Sequence, residues 1–191
     1  MTLTKETFRK KSIENIKNLH PHNKLYRDAL LEKRLMGHLR KIKHKNVLVY
    51  LPLPFEADIS KSVKKMRRKL NVFVPFMEGE SFKMVPLRLP LKKKKFGIFE
   101  AGYSFRNIKK IDIAIVPSIG VDGELKRIGF GKGMYDRFFA KLQKKPYTIF
   151  IQPKLCFTKE LICDSYDVEA DILITPYKEI YKGHRAIKKG K

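Results

Sequence analysis

Acidic residues are scarce in this chain: 19 Asp and Glu stand against 43 Lys and Arg, a formal net charge of +24. A surplus of that size draws polyanions, nucleic acid being the commonest, so phosphate- or carboxylate-bearing partners come first. Cysteine is nearly absent. Cys156 and Cys163 can neither build a disulfide scaffold nor supply the close pairs of a zinc site. The apolar runs are no longer than strands, which excludes a membrane span. Met1 to Lys11 holds no apolar signal segment, so a cytoplasmic location is expected. No internal repeat and no Gly/Ser linker divides the 191 residues. The expectation is one α/β domain over residues 1–177, a basic tail from 178 to 191, and a monomer. The five histidines form no cluster with cysteine or carboxylate. No stretch interleaves aromatic and basic residues as RNA-binding modules do, so no specific nucleic-acid partner is expected.

What is present is a βα alternation. Thr4 can cap a helix to about Leu19, ended by the Pro21 region, and Leu31, Leu35, Leu39 and Ile42 have helical spacing within Lys24 to Lys43. Asn46 to Pro52 reads as a buried strand, Ile59 to Leu70 as a helix and Val72 to Phe76 as a parallel neighbour reached by a right-handed crossover. Ser81 to Leu91 suggests a short β excursion. Lys92 to Lys95 reads as a solvated turn, and Ile111 to Pro117 as a central strand. Tyr147 to Ile151 and Asp171 to Thr175 add two strands with a helix-like Thr158 to Ile162 between them. The sum is a single three-layer α/β/α domain with a mostly parallel sheet of at least five core strands.

Between the Ile111 strand and a helix from Met134 to Leu142 lies Arg127-Ile-Gly129-Phe-Gly131-Lys132-Gly133-Met134-Tyr135-Asp136-Arg137. Alternate glycines let backbone N–H groups close on an anion, and a helix start favours negative charge. Arg127, Lys132 and Arg137 can neutralise a polyphosphate, while Asp136 offers the hard oxygen that Mg²⁺ prefers. The loop is neither a Walker A nor a Rossmann fingerprint, because the glycine spacing fits neither. Glycines alone could equally serve a tight turn. Lys5 and Arg9, four apart, share a helical face that the residues alone make a solvated stripe. Glu56 follows a strand, where it either meets a ligand or serves as a first-turn charge.

The run R-x-G-x-G-x-G-x-Y-D-R after a strand ending in Pro117 resembles the signature of the 5-formyltetrahydrofolate cyclo-ligase (5,10-methenyltetrahydrofolate synthetase) family. Lys5-Glu-Thr-Phe-Arg9-Lys10, Tyr50 to Asp58, Phe96-Gly-Ile-Phe-Glu100 and Asp167-Val-Glu-Ala-Asp171-Ile-Leu-Ile-Thr175 are similar to further family segments in the same order. Three positions depart from the pattern: Met134 replaces a first tyrosine, Ala101 a proline, and Tyr166 a histidine. The resemblance implies ATP-driven closure of 5-formyltetrahydrofolate to 5,10-methenyltetrahydrofolate with release of ADP and phosphate; the residues alone leave open a basic α/β nucleic-acid-binding protein or another ATP-using ligase or kinase with the same phosphate loop. The formyl oxygen attacks the γ-phosphorus, a second folate nitrogen attacks the activated carbon, and phosphate leaves. It assigns Lys5, Arg9, Arg127, Gly129, Gly131, Lys132, Gly133, Met134 and Tyr135 to ATP, with Arg127, Lys132 and Tyr135 nearest the chemistry. Glu56 and Tyr135 go to the folate, and Asp136 and Asp171 to Mg²⁺. Both substrates are polyanions, polyglutamylated folates above all, and a positive field would steer them.

Overall fold

The protein is described by a computed structural model that covers residues 2–88, 90–93, 99–102, 104, 108 and 110–183. Most of the expected basic tail, and residues 96–98 of the Phe96 to Glu100 segment, lie outside the described residues. In chain order the elements begin with helix α1 (Lys5–Lys17), a 3₁₀ turn (Pro21–Asn23), α2 (Lys24–Leu39), strand β1 (Asn46–Leu48) and α3 (Ser60–Met66). Then come β2 (Asn71–Glu78), β3 (Ser81–Pro86), β4 (Lys92–Lys93), β5 (Phe99–Glu100), β6 (Ile113–Pro117), β7 (Gly120–Val121) and β8 (Arg127–Ile128). The chain closes with α4 (Met134–Ala140), β9 (Tyr147–Ile151), β10 (Ile172–Ile174) and β11 (Glu179–Tyr181).

Seven strands form the main sheet in the order β11-β10-β9-β6-β1-β2-β3. The five inner strands run parallel, and β3 and β11 close the edges antiparallel. The alternation of side chains along a strand sorts the core into two layers. Val47, Ile113, Ile115, Ile149, Ile151, Ile172 and Ile174 face one way, against Leu31, Leu35 and Leu39 of α2 and Val63 and Met66 of α3. Leu48, Ala114, Val116, Phe150 and Leu173 face the other way, against Phe138 and Phe139 of α4. The expected three-layer α/β/α architecture is therefore what the chain forms. α1 stands apart from both layers and packs through Phe8, Ile13 and Ile16 on Ile119, Phe55 and Cys156.

Local differences from the sequence expectation have physical causes. The strand expected over Asn46 to Pro52 stops at Leu48, and Pro52 and Pro54, which have no N–H to give a ladder, lie in the loop that follows. Thr158 to Ile162 is not helical. Its backbone pairs with the β7–β8 hairpin instead, Thr158 N–H donating to Val121 C=O and Gly123 N–H to Glu160 C=O. α1 starts where expected, with a reciprocal cap in which Thr4 Oγ1 accepts from Thr7 N–H at 3.2 Å and Thr7 Oγ1 accepts from Thr4 N–H at 3.1 Å.

Candidate active site

Ligands of open parallel sheets sit beyond the carboxyl ends of the strands. There the segments after β1 and β6, the outer parts of β2 and β3, and α1 enclose a cleft of about 1050 Å³. Lys5, Arg9, Glu56, Arg127, Gly129, Gly131, Lys132, Gly133, Met134, Tyr135 and Asp136 all line it. These residues come from three distant stretches of sequence, and only the crossovers of the sheet bring them together.

The glycine loop is shaped for close approach. Gly131 and Gly133 have φ of 94° and 59°, where a Cβ is strained, and Gly133 delivers the chain into α4. Arg137 braces the loop by donating to Lys132 C=O at 2.6 Å and to Glu80 C=O at 2.9 Å. Its charge is thus spent on framework, while the Lys132 side chain is left exposed beside the cleft. From the other side Arg9 Nε donates to Gly129 C=O at 2.9 Å, so α1 is fastened to the loop it was expected to serve.

Arg127 is buried beneath the loop, its Nε donating to Pro117 C=O at 2.9 Å and its guanidinium 4.7 Å from the centre of the Tyr135 ring. Burial lowers its pKa, and the nearby Tyr135, Asp136 and Glu56 act in the opposite sense. A methyl on Gly129 would come within 2.9 Å of Arg127 Cζ. Gly129→Ala is therefore expected to displace the guanidinium, costing about 1–3 kcal/mol of stability by overpacking, read as a lower denaturation midpoint at unchanged m-value.

Aromatic and acidic side chains, some of them from the loop itself, make up much of the remaining lining. Tyr50, Phe55, Phe82, Phe130 and Tyr135 are among them, with Phe55 and Phe130 edge to face at 5.1 Å and Phe82 and Tyr135 at 5.0 Å. Glu56 closes its own turn by accepting from Leu53 N–H at 2.9 Å. Burial raises its pKa to about 7, against the lowering effect of that N–H and of Arg127. Burial likewise raises the Tyr135 phenol, so it stays protonated near neutral pH.

Two further carboxylates line the cleft. Asp136 lies in the first turn of α4, and its Oδ1 accepts from Val168 N–H at 3.1 Å. Asp167, buried in the cleft lining, accepts from Asp164 N–H at 2.7 Å and pairs with Lys5, which also reaches Asp164 at 3.0 Å. Desolvation opposes the Lys5 charge, yet its hydrogen bonds to Asp167 and Asp164 outweigh it and raise the ammonium pKa.

Asp171 is the one expected site residue that the fold does not bring to the cleft. It stands immediately before β10, at the amino edge of a parallel sheet, where its Oδ2 accepts from Thr148 N–H at 2.7 Å. Of the Asp167-x-x-x-Asp171 pair, the fold brings Asp167 and not Asp171 to the cleft. The missed signal was positional: a residue directly ahead of a parallel strand belongs to the edge opposite the ligands. Asp164, Tyr166 and Phe130 also line the cleft, though the sequence pattern assigns them no ligand.

A cationic loop and a set of edge-to-face rings in one cleft define an α/β enzyme built to grip a phosphate-bearing ligand beside a flat one. The sequence model of the 5-formyltetrahydrofolate cyclo-ligase family matches residues 2–176, and the chain belongs to that family. A Schizosaccharomyces pombe protein described as a probable 5-formyltetrahydrofolate cyclo-ligase is 28% identical over 157 residues, covering 71% of this chain and 77% of its own length. The mouse 5-formyltetrahydrofolate cyclo-ligase is 22% identical over 177 residues, covering 83% and 86%. The solved structure of Aquifex aeolicus 5,10-methenyltetrahydrofolate synthetase superimposes with a TM-score of 0.80, covering 99% of this chain and 97% of that one. At 23% identity that last likeness concerns the fold.

Proposed function

We propose that this chain is an ATP-dependent 5-formyltetrahydrofolate cyclo-ligase, forming 5,10-methenyltetrahydrofolate, ADP and phosphate. The observation that carries the reading is that the phosphate-gripping loop and the Glu56 aromatic wall share one cleft. A phosphoryl group bound at the loop is thereby presented to a pterin lying on the rings. Such transfer asks a protein mainly to position and to neutralise.

Lys5, Arg9, Lys132 and the loop N–H groups take the nucleotide phosphates. Arg127, dry and fixed by Pro117, puts its charge under the place where negative charge grows on the transferred group. Tyr135 orients the formyl end of the folate as a proton donor, and Glu56 holds the pterin N–H groups. Among the described residues no three His, Cys, Asp or Glu side chains converge into an all-protein metal cage. Two cleft carboxylates fit Mg²⁺, which takes one or two from the protein and shares its remaining positions with phosphates and water. Asp136 and Asp167 would hold it, with Asp167 in place of Asp171. The bound ion would supply charge neutralisation across the phosphates. Lys5 must then leave Asp167 as nucleotide enters and turn to the phosphates.

The test is the near-ultraviolet absorbance of methenyltetrahydrofolate when the protein meets 5-formyltetrahydrofolate and Mg-ATP. A rise that needs ATP is expected; no rise from folded protein would overturn the assignment.

A further inference from the structure

Part of the charge surplus that the cleft does not use lies at the other end of the sheet. The loops entering β1, β2 and β9 open onto the amino edge of the sheet, and each carries exposed cations: Lys43 and Lys45, Arg68 and Lys69, and Lys144 and Lys145. These loops are neighbours in space, because β9, β6, β1 and β2 are adjacent and parallel. Lys45 C=O accepts directly from Asn71 N–H at 2.8 Å, which joins two of them. None of the six forms an ion pair with a described acidic residue. Asp112 and Asp171 lie at the same edge but are engaged by backbone. Asp112 accepts from Lys45 N–H and Asn46 N–H, both at 2.9 Å, with Lys110 a further 3.8 Å neighbour, and Asp171 accepts from Thr148 N–H.

We propose that this edge is a second, non-catalytic surface that binds the phosphate backbone of duplex nucleic acid without regard to sequence. Three strand spacings of about 4.8 Å make the row about 14 Å long. That length matches about four phosphates of one strand at 3.4 Å of helix axis each. The chemistry favours a duplex over the other polyanions. A membrane surface asks for apolar side chains to insert among the cations. Of the large hydrophobic side chains that are exposed among the described residues, only Tyr181 comes near this edge, at its β11 end, and its hydroxyl is tied to Glu179 at 3.0 Å. Single strands are gripped by stacking bases on aromatic platforms; the ring that opens β9, Tyr147, is half-buried, stacks on His38 and hydrogen-bonds to it at 3.1 Å. What remains is a line of flexible ammonium and guanidinium groups, suited to backbone phosphates and the counterions they release.

The experiment is fluorescence anisotropy of a labelled random-sequence duplex of about 20 base pairs, titrated with the full chain between about 50 and 200 mM salt. The expected slope of log K against log salt is about −3.6, from roughly 0.9 for each of about four neutralised phosphates. The triple variant Lys43→Glu/Arg68→Glu/Lys145→Glu should bind at least about tenfold more weakly at the lowest salt, and its slope should lose about 3. Its cyclo-ligase turnover should be unchanged, which also shows that it has folded. A variant of equal net charge, Lys11→Glu/Lys17→Glu/Lys159→Glu, changes exposed lysines away from this edge and should keep most of the affinity. Equal losses in both variants would reduce the effect to net charge and overturn the proposal. So would absent duplex binding, or vesicles containing phosphatidylserine capturing the protein through these same three residues while the duplex does not.

Discussion

Asp136→Asn is expected to lower turnover by about a thousandfold, roughly 4 kcal/mol of transition-state stabilisation, while leaving the protein folded. The two halves of that expectation have separate causes. The amide oxygen of the substituted side chain can still accept from Val168 N–H, so the contact that Asp136 Oδ1 makes at 3.1 Å survives. The structural loss is held to about 1 kcal/mol or less, a shift of about 2–4 °C in the melting temperature for a chain of this size. The negative charge beside the glycine loop does not survive, and with it goes the group that would hold Mg²⁺ in the proposed reaction. Asp171→Asn should behave in the opposite way. Its carboxylate closes the start of β10 on Thr148 N–H at the far edge of the sheet, so turnover should stay within about twofold of wild type while stability falls slightly. Single-turnover absorbance and thermal melts on both variants separate the readings. A dead Asp171→Asn with an active Asp136→Asn would take the metal from Asp136 and place it on Asp171.

Glu56→Gln should show its effect as a change in how stability depends on pH. Burial raises the Glu56 pKa from 4.5 to about 7. The folded state therefore holds a proton that the unfolded chain has already released between those two values. A proton bound more tightly by the native state makes stability fall as pH rises. The contribution is complete below about pH 4.5, is drained through the interval up to about 7, and is gone above it. At 1.36 kcal/mol per pKa unit the difference between the ends is about 3 kcal/mol. Glutamine has no proton to lose, so the variant should match wild type near pH 5. Near pH 8 it should be more stable by about 2–3 kcal/mol, which denaturant titrations at the two pH values would show. The same change should lower kcat/KM by roughly 10- to 100-fold, because a charged acceptor facing the ligand is replaced by a neutral one. A variant that gained no stability at high pH would mean that Glu56 ionises as readily in the folded protein as in the unfolded chain, its charge balanced by Arg127.

Such a trade of stability for function has its reason in the packing. The loop after β1 turns Glu56 inward, beside a guanidinium that is itself buried and held by Pro117 rather than by a carboxylate. Neither charge has a full partner in the free protein. A ligand carrying N–H groups to Glu56 and phosphate oxygens above Arg127 would satisfy both, so binding should itself stabilise the fold.

The local physics of the chain was readable without the fold. The apolar spacing of Leu31, Leu35 and Leu39 gave α2 its buried face, and the β-branched run at Ile111 to Pro117 marked a strand covered on both sides. Thr4 marked the start of α1, and the alternate glycines before Met134 marked a loop whose backbone must bend through positive φ. Each of these rests on interactions among residues a few positions apart, which composition and period encode directly. Which edge of the sheet a carboxylate reaches is a different kind of fact. Asp167 and Asp171 lie four residues apart in one motif, yet one lines the cleft and the other closes a strand at the opposite edge. The pairing of Lys5 with Asp167, 162 residues away, and the neighbouring of Lys45 and Lys69 loops through β1 and β2 follow from strand order alone. Sequence determined the elements, the phosphate loop and the chemical types at the site. Tertiary structure decided which of those groups share a surface, because a parallel sheet separates its two ends by the length of its strands and collects at each end residues from everywhere in the chain.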